Sequence, residues 1–198
     1  VSESFLEKCS CREYLEEVGY EVVSDSVFSK ISDTCTPQGI LCVLKQFHYN
    51  IEEMLRDKAP LFLLLENIQD PGNLGTMLRT GEGAGVSGII MSRDTVDLYN
   101  PKVIRSTMGS IYRVPFYYAD DFAAAVHQVQ QAGISVYAAH LRGKNSYACQ
   151  DYTKGTAFLI GNEGNGLKQE TAQASDRLIR IPMEGQVESL NAAVAASL

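Results

Sequence analysis

No apolar run in this sequence approaches the length of a membrane span. The opening stretch carries Glu3, Glu7 and Glu13 and has no apolar core, so it is not expected to act as a signal peptide. No Cys-x-x-Cys pair occurs. The five cysteines, Cys9, Cys11, Cys35, Cys42 and Cys149, are odd in number, and Cys9-x-Cys11 is a poor metal spacing with just three histidines (His48, His127, His140) to help. The expectation is free thiols in a reducing cytosol and no metal site. The Walker pattern and the Gly-x-Ser-x-Gly elbow are absent. Positive charge is also short. A net charge of −7 argues against gripping nucleic acid by bulk electrostatics, although it leaves room for a local basic face.

What remains is an ordinary globular composition, 45% hydrophobic and 21% charged. Its 198 residues suffice for one sizeable core or for a domain with a smaller one. Residues 1–46 read as a piece of a small α/β unit whose beginning lies upstream. A helix is expected from Ser4 to Glu17, ended by Gly19, then a short strand at Glu21–Val23. A second helix capped at Ser24 or Asp25 follows, and a strand over Gly39–Leu44. Residues 47–59 read as a polar linker with a short helix from Ile51. From Pro60 strands and helices alternate, which predicts an α/β domain with a mostly parallel sheet over 60–198. Leu61–Leu65 is continuously apolar, as in a strand covered on both faces. Helices are expected from Asn73 to Ala84, from Pro101 to Gly109 and from Asp120 to Gln131. The strands expected between and after them are at Gly88–Met91, Val114–Tyr118 (edge-like), Ile134–Ala139, Phe158–Gly161 and Leu178–Ile181.

Two loops invite chemistry. Asn67 to Gly75 follows a buried strand and opens a helix, where backbone N–H groups suit an anion, and Arg79 lies one to two turns in. The run Gly161-Asn162-Glu163-Gly164-Asn165-Gly166 also leaves a strand, and its three glycines allow close approach of a ligand to the backbone. Downstream, Ser189 is expected to cap a helix of small residues, Ala192 to Ala196. The run from Gly81 to Gly88 has a superficial dinucleotide look, but its glycines end a helix and precede a strand, so helix packing and a C-cap are the better reading. Arg79, Lys102, Arg105, Arg113, Arg142 and Lys144 are the candidates for a basic face.

Three stretches in series resemble the motifs of the SpoU/TrmH-type RNA 2′-O-ribose methyltransferases of the SPOUT superfamily. They are Glu66 to Thr80, Leu159 to Gly166, and Ile181-Pro182-Met183 through Ser189-Leu190-Asn191. The resemblance covers about residues 60–198 and is specific in order, spacing and context. It implies a parallel α/β sheet with a C-terminal trefoil knot, and S-adenosylmethionine held by the knot loops. It also implies an obligate homodimer in the cytoplasm acting on RNA, without metal or membrane. Residues 1–46 resemble part of the ribosomal-protein-like RNA-binding domain that often precedes it, which implies ribosomal rather than transfer RNA. By the family pattern the catalytic set is Asn73, Arg79, Glu163, Ser189 and Asn191. The cofactor-binding set is Ala139, His140, Gly161, Asn162, Gly164, Ile181, Met183 and Leu190. A non-catalytic RNA-binding or ribosome-assembly protein that keeps the fold is the alternative, and the intact catalytic set favours the enzyme.

Overall fold

The computed structural model describes residues 1–198, which form two compact units, 1–47 and 48–198. The first unit holds α1 (Glu3–Lys8), α2 (Arg12–Val18) and α3 (Asp25–Ile31). Ser2 caps α1 by accepting the N–H of Phe5, and Ser24 caps α3 by accepting that of Val27. The continuous helix expected from Ser4 to Glu17 is broken at Cys9–Cys11. The break brings the two sulfurs to 3.1 Å, whereas side chains two apart on an unbroken helix do not face each other. The expected strand at Glu21–Val23 shrinks to one parallel bridge between Ser2 and Val23. The expected strand over 39–44 does not form, and Val43 there is 91% exposed. A strand needs partners for its N–H and C=O groups and a face to bury, and here only Gly39 is buried, its C=O accepting the Ser2 N–H at 2.8 Å, while Ile40 to Leu44 are exposed.

The second unit begins with α4 (Ile51–Met54), whose Ile51 and Met54 are buried in the unit's own core. The strands are β1 (Leu61–Leu65), β2 (Gly88–Ser92), β3 (Phe116–Ala119), β4 (Ser135–Ala139), β5 (Asn145–Ser146), β6 (Thr156–Ile160) and β7 (Arg177–Arg180). The helices are α5 (Pro71–Ala84), α6 (Pro101–Thr107), α7 (Phe122–Gln131), α8 (Gln169–Ala174) and α9 (Ala192–Ser197). The sheet runs β3-β2-β1-β6-β4-β7-β5, with every pairing parallel. Strand alternation sorts the core into two layers. Phe62 and Leu64 join Val126, Val129 and Ala172 on the α7/α8 face. Leu63 and Leu65 join Leu74, Met77, Val103 and Ala193 on the α5/α6/α9 face. The sequence did not anticipate β5 or α8. β5 has two residues, too few to show a period.

Helix ends explain two shifts in boundary. Asp70, not Asn73, caps α5: its Oδ1 accepts the Asn73 N–H at 2.7 Å, with Pro71 in the first turn. Asn191, not Ser189, caps α9, its Oδ1 accepting the N–H groups of Ala193 and Val194 at 2.9 and 3.3 Å. Gly85, at φ +73, closes α5 in the left-handed conformation that a C-cap glycine supplies. Helix α6 lies close against α5 because Gly75 has no side chain: a Cβ there would meet Ser106.

Candidate active site at the C-terminal edge of the sheet

Parallel pairing puts the ends of β1, β6, β4 and β7 at one edge. Leu65 is level with Ile160, Ala138 with Leu159, and Ala139 with Ile179. The loop after β1 leads to α5 on one face, and the loop after β6 leads to α8 on the other. Loops that part in this way leave a crevice where α/β folds bind ligands.

A cavity of about 370 Å³ opens at this edge, within the usual size of a small-molecule site. Ala139 and His140 come to it from β4, and Gly161, Asn162 and Gly164 from the loop after β6. Ile181, Met183 and Leu190 come from the segment after β7. All eight residues proposed to hold a cofactor therefore line one space. Glu163 and Ser189 line it as well, whereas Asn73, Arg79 and Asn191 do not. Sequence reasoning had assigned no cavity role to Leu141, Arg142, Ile160, Leu167, Arg180 or Glu188. Arg142 and Arg180 are charged residues next to strand ends, the one signal available for them.

The glycine loop has a fixed shape. Asn162 and Gly166 exchange backbone hydrogen bonds at 3.1 and 3.0 Å, and Asn162 Oδ1 accepts the N–H groups of Gly164 and Asn165, both at 2.9 Å. Gly166 takes φ +68. A Cβ at Gly161 would strike the backbone of Gly166 and Leu167, so only glycine fits. His140 Nδ1 accepts the N–H of Arg142 at 3.0 Å, which leaves the ring proton on Nε2.

Glu163 and Asn73 together join the three motif stretches. Its Oε1 accepts from Asp70 N at 3.1 Å and Asn73 Nδ2 at 3.0 Å, and its Oε2 accepts from Gln69 N at 3.2 Å. Asn73 Oδ1 in turn accepts from Asn191 Nδ2 at 3.0 Å. Burial works against the charge on Glu163. The Asn73 amide and then the backbone N–H groups outweigh it and hold the carboxyl below its ordinary value. Glu163, Asn73 and Asn191 thus form one relay from the glycine loop through α5 to the cap of α9.

Arg79 stands apart. It is exposed on α5, and none of the four ion pairs includes it. Arg113, another candidate for the basic face, is engaged by Glu82. No group of three or more His, Cys, Asp or Glu side chains could hold a metal ion. No helix is long and apolar enough to cross a membrane.

The model of the SpoU rRNA Methylase family matches residues 60–198. The chain is 34% identical over 177 residues to the 23S rRNA (guanosine(2553)-2′-O)-methyltransferase RlmP of Bacillus subtilis, covering 89% of this chain and 69% of that protein. It is 31% identical over 153 residues to the 23S rRNA (guanosine-2′-O-)-methyltransferase RlmB of Neisseria meningitidis serogroup B, covering 76% of this chain and 61% of that one. The chain thus spans roughly two thirds of the length of these curated relatives. Among solved structures it is similar to an AdoMet-bound rRNA methyltransferase from Sinorhizobium meliloti. The TM-score is 0.84 at 32% identity, with 99% of this chain and 75% of that chain covered.

Proposed function

The chain belongs to the SpoU rRNA methylase family, and from that premise we propose that it methylates a ribose 2′-hydroxyl of ribosomal RNA with S-adenosylmethionine. The observation that carries this reading is the cavity itself, walled by the loop after β6 and the segment after β7 and bordered by the relay to α5. Its lining fits the cofactor: apolar walls at Ile160, Ile181 and Leu190, a backbone cradle at Gly161 that a Cβ would fill, and no metal cluster to accommodate.

S-adenosylmethionine supplies a methyl group on a sulfonium, ready for in-line displacement by an oxygen. The chain's task is alignment and charge control. The loop 161–166 and the stretch Ile181 to Leu190 hold the cofactor through backbone and apolar contact. Glu163 is a poor proton acceptor, because both its oxygens already take N–H donors and its carboxyl is held below the ordinary range. Its role is to fix Asn73 and the loop after β1. Arg79 offers a planar guanidinium cation with donors and no acceptor, so it grips the phosphate beside the target ribose and steadies the forming alkoxide, while the hydroxyl proton leaves to water. Ser189 and Asn191 shape the ribose side of the site.

Arg79 lies outside the cavity lining of its own chain, which supports a homodimer in which it serves the partner's cavity. A C-terminal trefoil knot is supported by the path of the chain. It leaves β7 between β4 and β5, with Gly143 packed on the Ile179–Arg180 backbone, and then reaches α5 through α9. Residues 1–46 supply further RNA contact, 47–59 connect, and the work is cytoplasmic, where ribosomal RNA is met.

The test is to incubate the dimer with methyl-labelled S-adenosylmethionine and ribosomal RNA, digest, and separate the nucleosides. Label in a 2′-O-methylnucleoside is expected. Label on a base would contradict the reading. Tight RNA binding with no label would support the non-catalytic alternative.

A further inference from the structure

Glu66 is the one carboxylate buried in this chain, at 1% exposure, and no cation pairs with it. A buried carboxylate is tolerated when donors fill its oxygens. Here Oε2 accepts the N–H of Lys168 at 2.8 Å, and Oε1 accepts the hydroxyl of Thr171, itself 1% exposed, at 2.6 Å. The Lys168 ammonium is turned to Asp94 at 3.2 Å instead.

Glu66 directly follows β1, and its own N–H is bonded to Ile160 O at 2.9 Å. It is therefore fixed to the sheet at the level where the glycine loop begins. That loop is tied to the loop after β1 at three points. At its entry Asn162 Nδ2 donates to Asn67 O at 2.8 Å. In its middle Glu163 accepts the N–H groups of Gln69 and Asp70. At its exit Glu66 holds the N–H of Lys168, and Leu167, which lines the cavity, is the residue just before Lys168.

The geometry points to Glu66 as a positioning residue for the cofactor cavity, acting through Lys168 and Thr171 to preset the wall formed by Gly164 to Leu167. This role rests on the reading of the cavity as the S-adenosylmethionine site. It needs the two hydrogen bonds and not the charge. A glutamine can accept the Lys168 N–H through Oε1 and donate Nε2–H to Thr171 Oγ1, since a hydroxyl can accept as well as donate.

The test compares Glu66→Gln, Glu66→Ala and Thr171→Val. Glu66→Ala should raise the dissociation constant and KM for S-adenosylmethionine about tenfold or more, the scale of one to two lost hydrogen bonds. Glu66→Gln should stay within about threefold of wild type, and Thr171→Val should fall between. At saturating cofactor kcat should change less than about threefold in all three. Should Glu66→Gln fail like Glu66→Ala, the charge matters and the proposal is overturned. A Glu66→Ala protein with lowered melting temperature but wild-type KM would overturn it too. Amide exchange of residues 164–168 without cofactor should speed up in Glu66→Ala and Thr171→Val and stay unchanged in Glu66→Gln. That arm reads the tie even if no variant, wild type included, binds S-adenosylmethionine, an outcome that would sink the cofactor reading alone. Unchanged exchange in Glu66→Ala and Thr171→Val would sink the tie.

Discussion

The two units solve the folding problem with very different means. In residues 1–47 the buried apolar side chains are Leu15 and Phe28, the helices have six or seven residues, and Val18, Ile31, Val43 and Leu44 are exposed. In residues 48–198 four apolar strand residues in a row, Phe62 to Leu65, are buried between the two faces. Helices shorter than about twelve residues are marginal without tertiary packing, so caps carry much of the first unit. The second unit has core to spare, and it is the one that holds glycine cradles and a buried carboxylate. Features that oppose stability gather where packing can offset them.

Glycine substitutions should separate the two units by the largest effect. Gly161→Val should weaken S-adenosylmethionine binding by about a hundredfold or more, because its side chain must displace the Gly166–Leu167 backbone. Gly19→Ala, at φ +75 with open space around it, should cost about 1 kcal/mol in the first unit and leave binding alone. Titration of cofactor into both variants checks the pair.

Arg79→Ala comes next. Turnover should fall about two orders of magnitude, the scale of a lost charge-stabilising group, while cofactor affinity stays within a few-fold. Arg79→Lys should not rescue it, since a point charge lacks the planar fork. In mixed dimers of Arg79→Ala with Gly161→Val, action across the interface leaves one intact site and about half the activity. Action within one subunit leaves none.

Smaller effects concern stability. Ser24→Ala should cost the first unit about 1 kcal/mol through loss of the α3 cap. Exchange should quicken there and not in the sheet. Acid should weaken both units. Asp25 is held below its ordinary value by Ser4 and then Ser2, and Glu82 is lowered from 4.5 to about 2 by Arg113 and then Ser110. A carboxyl depressed on folding stabilises above its unfolded value and loses that contribution as pH falls through the folded one. Unfolding monitored from pH 5 to pH 2 should therefore show falling stability, and Glu82→Gln should flatten the slope in the second unit.

The second unit was legible in the sequence wherever pattern and packing agree. The apolar run Leu61 to Leu65 and the glycine loop fell where expected, because a buried strand and a backbone cradle leave compositional traces. The first unit was less legible. Gly39 to Leu44 has the apolar content of a strand, but a strand also needs a partner, and no local signal reports one. The start of α5 was set at Asn73 instead of Pro71 and the cap of α9 at Ser189 instead of Asn191, since Asp70 and Asn73, like Ser189 and Asn191, are all good capping types. The relay through Asn73 could not be read at all. It joins residues about 90 and 118 positions apart, and only the sheet register brings them together.

On the proposed reading, the cavity at the edge of the second unit holds S-adenosylmethionine by the strand-end loops alone. Isothermal titration of S-adenosylmethionine into the wild-type protein, with and without a chelator, tests it most directly. Saturable binding at one site per chain is expected, unchanged by the chelator, retained in Arg79→Ala and lost in Gly161→Val. Absence of binding by the wild-type protein, or binding that survives Gly161→Val, would rule it out.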